Sequence, residues 1–212
     1  MKKTLHNFSE KNLASYQSLQ IGNTCAFFAI ATSLKLLLNY QVDPIALAFE
    51  ADQLWRRGRF LRFWPGWAVA PRMLARMVRH IAKTRALPID AHFQHGKIET
   101  LINYLDDPGS IPIVTLTWLW GKVPPIYLGT TSKNYNTLPG PGGHTMILAA
   151  YNPDHRSGGD VITPWGFINP WKMNVSHLFW MTDHDFRESW HNWLPFKGRN
   201  PLVIVTKIPS IK

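Results

Sequence analysis

Of the 212 residues, Cys25 is the only cysteine and the side chain best suited to covalent chemistry. A thiol attacks a carbonyl as thiolate, and the partial positive charge at a helix N-terminus favours that form. In IGNTCAFFAIATSLKLLLNY, the turn residues Gly22 and Asn23 precede Thr24, and a long apolar run follows. This pattern predicts a helix over 24–40 with Thr24 as its N-cap, which puts Cys25 in the first turn. Packing is the competing role, since a free cysteine also fills space as a small hydrophobe.

A cysteine nucleophile needs an imidazole within hydrogen-bond reach and a third group that orients the ring. Nine histidines are available, and His144 stands apart: it follows Pro-Gly-Pro-Gly-Gly and opens an apolar strand, the rim position a base facing a cleft requires. His80 lies mid-helix beside Arg76 and Arg79. His92, His95, His155, His177, His184 and His191 lie in polar or turn-rich stretches and read as surface or structural residues. For the orienting group, Asn169 ends a later strand, and the turn NPDHRSGGD between the two strands would make them antiparallel neighbours. Asn before Pro is also an ordinary strand terminator.

The elements that must hold these residues fall in a simple order. Asp43-Pro44 starts a second helix running to about Arg57, with Pro at the first helical position. Pro71 opens a third, where Met73, Leu74, Met77, Val78 and Ile81 recur at helical spacing. A short helix over Lys97 to Leu105 ends at Asp-Asp-Pro-Gly. Thereafter Ile111 to Trp120, His144 to Asn152, Trp165 to Trp171 and Leu202 to Ile208 read as buried strands. Val123 to Gly143 reads as a long loop suited to substrate contact or gating. Thr182 and Asp185 form a capping box that opens a helix from Asp183 to about Trp193. Helices first and strands later is an α+β layout, one domain over 1–212 with a helical lobe at about 16–108 and a sheet lobe at about 109–208.

In this order along the chain, Gln-x(4)-Cys at a helix start, Gly-His opening a strand and Asn-x-Trp after a later strand resemble the papain-like cysteine peptidase superfamily. The closest likeness is to the bacterial group of bacteriocin-leader (double-glycine) peptidases. The resemblance implies a papain-like fold, with the Cys helix in the N-terminal lobe and His and Asn in a C-terminal antiparallel sheet. It implies a thiol protease or amidase acting on a peptide or protein substrate through a thioester acyl-enzyme, with Cys25 as nucleophile, His144 as base and then acid, Asn169 as orienter and Trp171 shielding the Asn–His contact. The family's oxyanion-hole glutamine commonly stands six residues before the cysteine, where this chain has Leu19. Gln20, five before, takes the role, with Gln17 as the alternative. The same apparatus would also serve an acyltransferase of the transglutaminase kind.

Composition narrows the remaining classes. With 45% hydrophobic and 17% charged residues and 10 Trp, the chain is globular rather than disordered or coiled coil. Net charge is +10, spread along the chain except for Arg56, Arg57, Arg59 and Arg62, which interleave with Trp55, Phe60, Phe63 and Trp64. That segment suits either phosphate or anionic-lipid contact, as in a non-catalytic binding protein, or a solvated helix end with snorkelling arginines. Phe60 to Val69 and Thr117 to Lys122 would line an apolar subsite or pack the core. No zinc-ligand spacing, phosphate loop or dinucleotide motif occurs, so no metal or cofactor is expected. No signal-peptide h-region follows the N-terminal lysines and no apolar run spans a bilayer, so a soluble cytoplasmic protein is expected.

Overall fold

The computed structural model describes residues 1–58, 69–137, 141–171, 175–191 and 200–209. Its strands are β1 (Lys3–Thr4), β2 (Ile89–His95), β3 (Ser110–Trp118), β4 (Tyr127–Leu128), β5 (Gly142–Tyr151), β6 (Arg156–Ser157), β7 (Val161–Ile162), β8 (Trp165–Ile168), β9 (Phe179–Met181) and β10 (Pro201–Lys207). Its α-helices are α1 (Glu10–Ala14), α2 (Cys25–Leu38), α3 (Pro44–Arg56), α4 (Pro71–Thr84), α5 (Ile98–Tyr104) and α6 (Asp183–His191). The architecture is α+β, built on an antiparallel sheet of order β2-β10-β3-β5-β8-β9-β4, with β1 added alongside β5. A small hairpin of β6 and β7 occupies the turn between β5 and β8. Among the described residues no helix is long and apolar enough to cross a membrane.

The central strands are covered on both faces, which is why they read as unbroken apolar runs. Residues 144–150 of β5 are all buried. Adjacent residues of β8 show the two coverings. Phe167 packs on Phe186 of α6, whereas Ile168 shares a small cavity with Phe28 and Ala29 of α2. Within α2, Phe27, Ile30 and Leu34 are fully buried, each contributing roughly 2 kcal/mol through loss of water contact. Leu34→Ala would cost about 3 kcal/mol. The helix ends where Asn39 takes φ 53 and its N–H returns to Leu34 and Lys35 carbonyls.

Three sequence expectations need correction. Residues 89–95, expected in the helical part, form β2 at the sheet edge, paired with β10 from Ile89↔Lys207 to His95↔Pro201. Buried Ile89 and Ala91 alternate with exposed Asp90 and His92, the half-buried pattern of an edge strand, but its polar residues hide the strand from a search for apolar runs. The division at residue 108 is therefore not a clean boundary between helices and strands, since β2 belongs to the main sheet. The strand expected over Trp165 to Trp171 stops at Ile168, and Asn169 to Trp171 turn away from it. Short β9 was missed, and it pairs with both β8 and β4.

The segment 123–143 is tied down rather than loose where it is described. Asn134 Oδ1 accepts from the N–H groups of Ile126 and Asn136, and buried Asn136 donates through Nδ2 to Pro124 O. Gly129 N–H donates to Leu178 O beside β9. Arg59, Arg62, Phe60, Phe63 and Trp64, central to the arginine-aromatic reading, lie outside the described residues, as do residues 192 and 193, which the last helix was expected to include.

Candidate active site

The site begins with the turn that leads into α2. Gly22 takes φ +60, a conformation glycine adopts without penalty, and Thr24 Oγ1 donates to Ile21 O at 2.6 Å. Thr24 does occupy the N-cap position, but its hydroxyl donates back into that turn and its oxygen accepts no N–H of the helix. The first N–H groups of α2 are thus left beside Cys25, the first helical residue.

Cys25 is half-buried by accessible surface, yet packing around its sulfur is dense enough that burial is the largest influence and pushes the thiol up. Hydrogen bonds pull it down: the backbone N–H and side chain of Thr145, then the backbone N–H groups of Ala26 and Cys25. The helix-terminus effect expected from sequence is therefore present, but burial outweighs it, and the resting group is a thiol.

Thr145 sits on β5 one residue beyond His144, so α2 delivers the sulfur to the residue next to the imidazole. Its hydroxyl also lies 3.3 Å from that of Thr115, its register partner on β3. Where β5 starts, a Cβ on Gly142 would fall 2.7 Å from the Trp118 ring. Glycine in GPGGH thus lets the strand lie against Trp118, and the His144 that follows is buried rather than at the open rim expected from sequence.

His144 is 2% exposed, and its Nε2 lies 2.8 Å from Asn169 Oδ1, itself fully buried. A carbonyl oxygen only accepts, so Nε2 carries the proton and Nδ1 keeps its lone pair. Burial lowers the His144 pKa to about 4, against the opposing effect of the Asn169 hydrogen bond. The ring is neutral at physiological pH and stacks on Trp171 at 4.4 Å and 25° between planes. Trp171 in turn meets Phe179 of β9 edge-on, with ring centroids 6.4 Å apart. The antiparallel pairing expected of β5 and β8 is present, with Ile147 opposite Ile168, and it brings His144 and Asn169 together.

The two glutamines differ. Gln17 is buried, accepts from Asn169 N–H at 3.2 Å and donates to His177 O at 2.7 Å. Gln20 donates through Nε2 to Gly22 O at 2.9 Å, while its backbone N–H bonds Pro170 O at 2.7 Å. Gln17 uses both ends of its amide as a structural link, whereas the Gln20 side chain holds only a carbonyl of its own turn.

Sequence reasoning brought together His144, Asn169 and Trp171. It missed Thr145, whose adjacency to His144 in GGHT was the available signal, and it missed the link made by Gln17. Of the Trp-rich segment 117–122, Trp118 is buried against β5 while Trp120 is 74% exposed. Trp118, with Thr117 and Lys122, also lines a cavity of about 450 Å³ that extends to His184 and Glu188 of α6. Among the described residues no cluster of three or more His, Cys, Asp and Glu is placed to hold a metal ion. Comparison of the chain with known protein families, and with curated proteins, finds no match.

Proposed function

We propose that the protein is a papain-like cysteine peptidase or amidase that hydrolyses a peptide or amide bond through Cys25, His144 and Asn169. The observation that carries the reading is the His144 Nε2–Asn169 Oδ1 bond beneath Trp171, with the Cys25 sulfur beside the next residue of the same strand. An imidazole fixed at Nε2 and unprotonated at Nδ1 is set to accept a proton from a neutral thiol as substrate arrives.

In this mechanism the Cys25 proton passes to His144 Nδ1 as the sulfur–carbon bond forms and the carbonyl electrons move to oxygen. Gln20, released from Gly22 O, and the Cys25 backbone N–H donate to that oxyanion; a single such donor can contribute about 3 kcal/mol. As the tetrahedral adduct collapses, the carbon–nitrogen bond breaks and the imidazolium protonates the leaving amine. Water, deprotonated by the same ring, then attacks the thioester and regenerates the thiol. Trp171 excludes water from the His144–Asn169 bond, which keeps the ring in one tautomer.

Alkylation by iodoacetamide near neutral pH tests the reading. Cys25 in the folded protein is expected to react faster than the same cysteine in denatured chain, with the excess lost in His144→Ala. Reaction no faster than in the denatured chain would overturn the proposal.

A further inference from the structure

The β8–β9 connection carries Asn169 and Trp171, and Gln17 touches it at both ends. Its Oε1 accepts from Asn169 N–H at the exit of β8, and its Nε2 donates to His177 O before β9. Asn169 lies beyond the last ladder pair of β8 and is fully buried. Without Gln17 its N–H would be a buried donor with no partner, a costly state.

The Asn169 side chain cannot set its own direction. Its Oδ1 meets His144, but its Nδ2 is buried and has no hydrogen-bond partner among the described residues. Where Oδ1 points is therefore decided by where the backbone of Asn169 sits. Gln17 fixes that backbone, and three residues later Gln20 N–H bonds Pro170 O. The same short segment then runs directly into Cys25.

We propose that Gln17 is a positioning residue: the strap it forms with Gln20 aligns Asn169, and through Asn169 the His144 ring, with the start of the cysteine helix. In this role Gln17 is a link and not the oxyanion donor, because both ends of its buried amide hold the β8–β9 connection, whereas Gln20 gives up only a carbonyl of its own turn. The kinetic consequence rests on the peptidase reading; the structural consequence, the orientation of His144, does not.

Two measurements on Gln17→Met, which keeps the volume and loses both hydrogen bonds, test this in the full-length protein. The first is the ¹⁵N-edited NMR signal of the His144 Nε2 proton, assigned by its loss in His144→Gln. The second is the Cys25 alkylation rate well below the melting temperature. The Nε2 proton is expected to exchange at least 10-fold faster in Gln17→Met, and alkylation to slow by about 10-fold. Gln17→Glu keeps an acceptor for Asn169 N–H and is expected to restore most of the protection. A purely structural role would lower the melting temperature and leave both measurements unchanged in the folded protein, which would overturn the proposal. Should wild-type Cys25 prove unreactive, the peptidase reading falls, while the Nε2 proton still decides the role of Gln17: faster exchange supports it, and unchanged exchange overturns it.

Discussion

His144 near the start of β5 and His155 just past its end are built alike. Each ring lies flat on a tryptophan, His144 on Trp171 at 4.4 Å and His155 on Trp180 at 3.6 Å. Each places a ring nitrogen 2.8 Å from a side-chain oxygen, of Asn169 and of Thr163 respectively. In each, burial is the first cause of a lowered pKa. They part at the far end of the hydrogen bonds. Ser157 Oγ donates to Gly129 O, so it must accept from Thr163, which in turn accepts from His155 Nδ1. That chain runs one way into a backbone carbonyl and pins the β6–β7 turn to the segment near β4. At His144 the oriented nitrogen ends at an amide, and the neighbouring residue lies beside a thiol. A histidine stacked on tryptophan is thus a structural device in both places, buried at His144 and partly exposed at His155; what sets His144 apart is the cysteine beside its neighbour.

The largest expected difference is in thiol reactivity. His144→Ala should lower the alkylation rate of Cys25 by roughly two to three orders of magnitude, whereas His155→Ala should leave it within about two-fold. Equal losses in the two variants, each checked for a native circular dichroism spectrum, would erase the distinction drawn here.

Stability should separate the pair next. The folded-state pKa of His144 is depressed from 6.5 to about 4, so the unfolded chain binds the proton first as pH falls. The stabilisation is therefore fully present above pH 6.5 and is lost progressively down to pH 4. The loss is on the order of 3 kcal/mol. Urea melts at intervals across this window should show that slope in wild type, reduced in His144→Gln. His155 is shifted in the same direction, so His155→Gln should flatten the same limb; its larger exposure makes the effect smaller.

Much of this arrangement was legible in the sequence because it rests on local patterns. Ile111 to Trp118 and His144 to Tyr151 are apolar on both faces, and such runs announce central strands. The turn between Asn152 and Asp160 implied an antiparallel pair, and that pairing is what joins His144 to Asn169. The edge strand β2 was not legible, since Asp90, His92 and Gln94 break its apolar signal. Nor were the roles of Gln17 and Thr145. A glutamine that bonds Asn169 and His177 from 152 and 160 residues away leaves no trace in local spacing, and the adjacency of Thr145 to His144 in GGHT does not say that a sulfur on another element lies beside its hydroxyl. Thr24 shows the limit even of a local rule, because it stands at the N-cap yet its hydroxyl donates back to Ile21 O and its oxygen accepts from no N–H of the helix it begins.

The hydrogen-bond partners of the two rings offer a third contrast. Asn169→Ala leaves Nε2–H of His144 unpaired and frees the ring, so Cys25 alkylation should fall by about 10-fold. Thr163→Val breaks the His155 chain in the middle, and should cost about 1–3 kcal/mol in a urea melt with alkylation unchanged. A reactivity loss in Thr163→Val as large as in Asn169→Ala would mean that the two histidine sites are coupled through β5.

The smallest expected effect concerns Thr145 itself. Its hydroxyl and N–H both favour the thiolate form of Cys25, but only the hydroxyl can be removed by substitution. In Thr145→Val one of these donors disappears while the strand and the N–H stay, so the thiolate is stabilised less and the pH at which alkylation reaches half its maximum should move upward. At neutral pH the rate should fall only about three-fold, since the N–H groups of Thr145, Ala26 and Cys25 remain. Thr145→Ser, which keeps the hydroxyl, should restore the wild-type profile. If Val and Ser variants share one profile, the hydroxyl serves Thr115 and the packing of β3 on β5, and Thr145 would then resemble Thr163 in holding structure alone.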